Sequence, residues 1–238
     1  MNILSSEETY KYLTNKICID VWNDLSKRYN ITTIESNLPS HIEENGINYT
    51  IFINYSQTIP EIFFHELLHL YIIDQKIHVL NELENLLSEK VLLSSYIEKD
   101  LIFSIHDSLS HMLMFSIYNK SGYNRSLFLG YKQKEVKLLN DKLASLKNNN
   151  IYDLKYEFSN FIHYQLSFNQ FKMIGGIIDE QLQILKSNDL YLFNIINKIT
   201  SNWSYNLSTE ELRKIISVFI CDLDNYIMNK LPSLFESE

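Results

Sequence analysis

The sequence predicts an α+β fold that is predominantly α, with a small sheet in the first third, one long buried helix after it and a helical C-terminal half. Three observations lead there. Glycine (5) and proline (3) are scarce among 238 residues, far below the usual share of about 12%, so tight turns are few and long helices are favoured over a many-stranded sheet. Short β-branched or alternating stretches are confined to residues 31–55. From about residue 131 to 230 no segment reads as a good strand. With 45% hydrophobic and 21% charged residues, the chain has the composition of a soluble globular protein and can bury a sizeable core. It has no Pro- or Ser-rich linker and no internal repeat at solenoid periods. One domain over 1–238 is expected, with a helical lobe over 131–238 as the alternative.

Taken in order, Ser5 and Glu8 form a capping box that opens a helix over about 6–29. Its apolar residues Leu13, Ile17, Val21 and Leu25 recur every four positions as one stripe. Ile31-Thr32-Thr33-Ile34 is a short β-branched strand, and residues 35–46 read as a loop broken by Pro39 and Gly46. Ile47 to Tyr55 alternates, with Asn48, Thr50, Phe52 and Asn54 on one face, which predicts a half-buried strand at a sheet edge or cleft wall. Thr58 and Glu61 form a second capping box, and Pro60 suits the first turn of the helix that follows. Helices are further expected near 80–99, 100–118, 131–147, 152–170, 177–198 and 209–230, the last opened by Ser208 and Glu211. Ser121-Gly122 and Gly175-Gly176 mark breaks.

The formal net charge is −8 and no run of Lys and Arg stands out, so nucleic acid is excluded as an expected partner. There is no basic leader segment and no stretch long enough to span a bilayer, so no membrane partner is expected. Cys18 and Cys221 lie far apart and read as free thiols of a reducing compartment, with a lone disulfide as the alternative; a cytoplasmic location follows as the expectation, with export by a route the sequence does not show as the alternative. The oligomeric state is not legible.

The chemistry is concentrated in His65-Glu66-Leu67-Leu68-His69. At about 100° per residue, with His65 at 0°, His69 falls near 40° and Glu66 near 100°. Two imidazoles on one helical face can share a zinc ion (Zn2+), with the intervening carboxylate placed as general base. Phe63, Phe64, Leu67, Leu68, Leu70 and Tyr71 make the same helix apolar nearly all round, so it is buried on most sides. It therefore carries two histidines and a glutamate into the interior, which requires a compensating role for them. The alternative is a buried helix whose histidines bond to carbonyls.

A strand followed by a helix bearing this motif resembles the HExxH zinc metallopeptidases, the zincins. The resemblance spans roughly residues 45–120, and its diagnostic part is the five-residue motif. It implies a single zincin-like metallopeptidase domain, a peptide or protein substrate, and an extended substrate pairing with the strand before the helix, here Ile47 to Tyr55. The metzincin completion needs Gly at 72 and His at 75; Ile72 and Gln75 stand there, so that subfamily is rejected. Thermolysin-like relatives take their third ligand, a glutamate, from a following helix, and the resemblance to those gluzincins is loose. Glu82, Glu84, Glu89 and Glu98 are available but sit on a polar helix face.

Better placed is the apolar helix interrupted by His106, Asp107 and His111. Asp107 and His111, four apart, share a face. His111 is the expected third metal ligand, with Asp107 as its hydrogen-bonded support or as an alternative ligand. A bond between Asp107 and His111 with no metal role is the bland alternative, and His106 points about 100° away. The expected function is a zinc metallopeptidase in which Glu66 acts as general base on zinc-bound water. Tyr118, Tyr123 and Arg125 are candidate oxyanion donors, each with a structural role as the default. His41, His78 and His163 lack partners at ligand spacing, and Trp22, Trp203 and the aromatic cluster between Tyr152 and Phe171 read as packing. The alternative functions are a non-catalytic zinc-binding or regulatory protein with a relic motif, and a zinc hydrolase of a non-peptide amide.

Overall fold

The computed structural model describes residues 2–54, 56, 59–129 and 154–235. The fold is α+β and mainly α, with a four-stranded sheet early in the chain and a helical C-terminal half. Contacts divide the chain into two compact units, Met1–Ile77 with Leu113–Tyr131, and His78–Met112 with Lys132–Glu238. The expected helix 131–147, and the Thr58 part of the second capping box, lie outside the described residues. Among the described residues no helix is long and apolar enough to cross a membrane.

The first unit opens with strand β1 (Asn2–Ile3), helix α1 (Ser6–Thr9), a 3-10 turn (Tyr10–Tyr12) and helix α2 (Lys16–Leu25). The Ser5 capping box forms: Ser5 N–H donates to Glu8 Oε2 at 2.8 Å and Glu8 N–H to Ser5 Oγ at 3.2 Å. The single helix expected over 6–29 is nevertheless broken. Asn15 is extended, and its side chain accepts from Cys18 N–H, so it starts a new helix. An N-cap satisfies a donor that a continuous apolar stripe cannot.

Strands β2 (Asn30–Ser36), β3 (His41–Asn45) and β4 (Asn48–Asn54) complete the sheet in the order β1-β2-β4-β3. β2 runs parallel to β4, with Thr33 opposite Ile51, and β3 pairs antiparallel with β4, with Ile42 opposite Ile51. Two expectations are corrected here. Residues 35–46 are not all loop, because Gly46 takes a φ of +65° as the first of the two residues between the paired Asn45 and Asn48 and turns β3 back onto β4, the position where a two-residue hairpin favours glycine. And β4 is not an edge strand: β2 and β3 flank it on both sides. Tyr49, Ile51 and Ile53 are buried.

Helix α3 (Pro60–Asp74) packs on α2, β3 and β4. Pro60 sits at its first position after an extended Ile59, with no side-chain cap. Ile62, Phe63, Phe64, Leu67, Leu68, Leu70 and Ile72 are all buried. Phe63 stacks on Tyr12 at 5.2 Å and meets Trp22 at 5.8 Å. The helix ends in a Schellman turn: Ile77 N–H donates to Ile72 O and Lys76 N–H to Ile73 O, with Lys76 at a φ of 60°. Arg28 ties this end down through two 2.8 Å bonds to Asp74.

The second unit holds α4 (Val79–Ser88), α5 (Val91–Tyr96), most of α6 (Lys99–Lys120), α7 (Leu154–Met173), α8 (Asp179–Asn188), α9 (Leu190–Asn202) and α10 (Thr209–Phe235). The segments expected as single helices over 80–99 and 177–198 are each split. At the second break the Asp189 side chain accepts from Leu192 N–H and caps α9. The Ser208–Glu211 box opens α10. Trp203 donates its indole N–H to Leu109 O at 2.8 Å, and Arg213 grips both oxygens of Glu82. Gly176 lies against Phe171, so a Cβ there would collide with the ring.

Candidate metal centre

On α3 the four-residue spacing does what helical geometry requires: His65 and His69 face the same side, and their Nε2 atoms are 3.2 Å apart. His65 and Glu66 are buried, and His69 is half-buried. The histidine rings meet edge to face at 5.0 Å. One ligand atom from each of His65, His69 and His111 lies within 4.8 Å of the other two, which makes a group that can hold a metal ion. It is the one such group of three or more histidine, cysteine or acidic side chains among the described residues.

His111 reaches this group from α6, which runs unbroken from Lys99 to Lys120. The boundary between the two units falls inside that helix, just past His111. Two turns further on, Tyr118 is fully buried in the first unit and stacks on Phe64 at 6.0 Å. Phe128, from the segment after α6, clamps the arrangement. Its ring lies 5.0 Å from His65, 4.8 Å from Tyr118 and 5.2 Å from Phe115. Phe128 has no sequence signal, because it follows a short 3-10 turn (Arg125–Leu127) and belongs to no periodic pattern.

Asp107 stands one turn before His111, with its Oδ2 3.4 Å from His111 Nδ1. Asp107 thus stands beside His111 and is not a member of the group itself. Packed neighbours push the Asp107 carboxyl up to about 6. More than half of the side chain (55%) still meets solvent, which moderates that rise. His106 is outside the group, and burial lowers its pKa against the opposing pull of Glu84. The upstream glutamates are also outside it: Glu82 is gripped by Arg213, Glu98 is paired with Lys155 at 2.9 Å, and Glu84 and Glu89 are exposed.

The three oxyanion candidates have other placements. The Tyr118 hydroxyl donates to Asn124 O at 3.2 Å. The Tyr123 hydroxyl shares a 2.7 Å bond with Thr14, and burial pushes it up to about 12. Arg125 is exposed. His163 bonds Ser104 at 2.8 Å, and His41 stacks on Phe52 at 4.5 Å.

The donor set fits zinc. Three uncharged imidazoles suit an ion that accepts nitrogen ligands, and two nitrogens bound tetrahedrally at about 2.0–2.1 Å would stand about 3.3–3.4 Å apart, close to the spacing of His65 and His69. Three protein ligands also leave a fourth position for water or substrate. The chain matches no protein-family model, no curated protein and no solved structure.

Proposed function

We propose that the chain is a zinc-dependent metallopeptidase of the HExxH type, hydrolysing peptide bonds in a peptide or protein, with His65, His69 and His111 as the metal ligands and Glu66 as general base. The observation that carries this reading is the convergence of His65, His69 and His111, with the buried Glu66 next to His65 on α3. Zinc, when bound, supplies Lewis acidity that polarises a carbonyl and acidifies water. His65 and His69 present Nε2, and Asp107 orients His111 through Nδ1. Phe128 packs on His65 and keeps its ring from turning away. The Glu66 carboxylate takes a proton from the attacking water and returns it to the leaving amine. Its burial keeps competing solvent from that carboxylate.

Because β4 is enclosed, an extended substrate would add to the open side of β3 instead. A cytoplasmic setting accords with Cys18 and Cys221 both being free thiols. No nucleic-acid or membrane partner belongs to this reading. The test is metal analysis of the purified chain alongside peptide cleavage. About one equivalent of zinc is expected, with hydrolysis lost in Glu66→Gln while zinc stays. Zinc retained without hydrolysis of a broad peptide library would favour a non-catalytic zinc protein. Absence of bound zinc after incubation with the metal would end the metal reading.

A further inference from the structure

β3 is the outermost strand of the sheet, and among the described residues it pairs with β4 alone. Its other side therefore offers a row of backbone donors and acceptors, a template for a further strand. Two consecutive residues of this short strand, Glu43 and Glu44, are exposed and, by alternation, point to opposite faces. Among the described residues neither carboxylate meets a lysine or arginine. Glu43 lies 3.3 Å from the His41 ring, and Glu44 stands beside the Tyr49 hydroxyl. Three other acidic groups of the same unit are paired with cations: Lys11 holds Glu35, and Arg28 holds Asp24 and Asp74. The open edge thus carries two carboxylates with no lysine or arginine beside them among the described residues, in a chain whose net charge is already −8.

We propose that the open edge of β3 selects basic peptides, with Glu43 and Glu44 pairing with lysine or arginine side chains on the two faces of a strand added there. This rests on the peptidase reading above for the use made of the bound strand. Backbone bonds give such an edge little selectivity, so side chains beside it decide which strand binds. Opposite charges on neighbouring strands attract and like charges repel. The same two glutamates turn away a second copy of β3, which would otherwise be the closest competitor for the edge.

The test separates binding from cleavage. Two fluorescein-labelled nonapeptides of alternating threonine and valine, one with three lysines and the other with three glutamates, are titrated by anisotropy against the zinc-loaded Glu66→Gln chain. The lysine peptide should bind about tenfold tighter than the glutamate peptide. The preference should shrink at about 0.3 M salt, where screening is stronger. The Glu43→Gln/Glu44→Gln double variant should abolish it, and Glu43→Lys/Glu44→Lys should reverse it. Equal affinities, no binding of either peptide, or a preference that survives both double variants would overturn the proposal. Selective binding with no cleavage by the wild-type zinc protein would instead count against the peptidase reading alone. Cleavage without charge preference would do the opposite.

Discussion

The Nε2 atoms of His65 and His69 stand 3.2 Å apart on one face of a helix that is otherwise packed with apolar side chains. That distance suits two nitrogens sharing an ion, and it equally suits one ring donating to the other. What separates the two cases is the third imidazole. A ring-to-ring bond needs only His65 and His69, whereas a metal site also uses His111, which α6 brings within 4.8 Å of both.

Zinc should therefore stabilise the chain through all three histidines. At a hundredfold excess over Kd, a ligand of the folded state adds about 2.7 kcal/mol, which for a chain of this size raises Tm by roughly 5–10 °C. Calorimetry with and without a chelator measures this. His65→Ala and His69→Ala should abolish the shift, and His111→Ala should lower zinc affinity about a hundredfold or more. An unchanged affinity in His111→Ala would remove His111 from the ligand set.

Glu66→Gln keeps size and hydrogen-bonding capacity but cannot accept the proton. Peptide hydrolysis should fall by about 10²–10⁴-fold with zinc content unchanged. Parallel metal analysis and turnover assays decide it; loss of zinc together with activity would make Glu66 a structural residue.

Asp107→Asn should weaken zinc binding about 10- to 100-fold without unfolding the chain, because more than half of the Asp107 side chain is exposed. The metal-free chain adds a pH signature. Packed neighbours raise the Asp107 carboxyl to about 6, so the proton it holds favours the folded state. That contribution is complete below about pH 4 and is lost as pH rises through about 6. Metal-free Asp107→Asn should accordingly gain stability relative to wild type between pH 4 and 6, as read by urea unfolding at each pH.

Lys76 closes α3 in a left-handed conformation, with a φ of 60°. A side chain pays for this conformation and glycine does not. Lys76→Gly should stabilise the chain by about 0.5–1 kcal/mol, measurable by denaturant titration. A destabilised variant would show that the Lys76 side chain has a further role.

Asp189 caps α9 through Leu192 N–H at 2.9 Å and accepts the Tyr226 hydroxyl at 2.8 Å. Asp189→Ala should cost about 2–3 kcal/mol, the sum of a lost cap and a lost buried bond, and Asp189→Asn should cost less. Burial pushes this carboxyl up, but Leu192 N–H, Tyr226 and Lys230 together hold it below its ordinary value. Its contribution is present above about pH 4 and is lost as pH falls through the lowered value. Acid unfolding should thus be less steep in the alanine variant.

Legibility in the sequence followed range along the chain. The capping boxes at Ser5 and Ser208 formed as expected, because each joins residues three apart. The same local chemistry produced the errors. Asn15 and Asp189 are N-cap residues inside continuous apolar periodicity, and there the cap prevailed over the periodicity. β3 was hidden because an edge strand with exposed glutamates carries no apolar alternation, even though Gly46 marked its turn. The position of β4 between two partners is a property of the sheet and not of its own residues.

By itself the sequence determined α3 and the common face of His65 and His69, since helical spacing sets those relations within a single turn. It also narrowed the third position to a few polar side chains downstream. Only the tertiary structure decided that His111 joins the pair while Asp107 stands behind it and Glu82, Glu84, Glu89 and Glu98 point elsewhere. The physical reason is that the separation of α3 and α6 is set by packing. Phe64 and His65 lie far along the chain from Tyr118 and Phe128, and their rings meet only in the folded core, a relation that no local pattern sets.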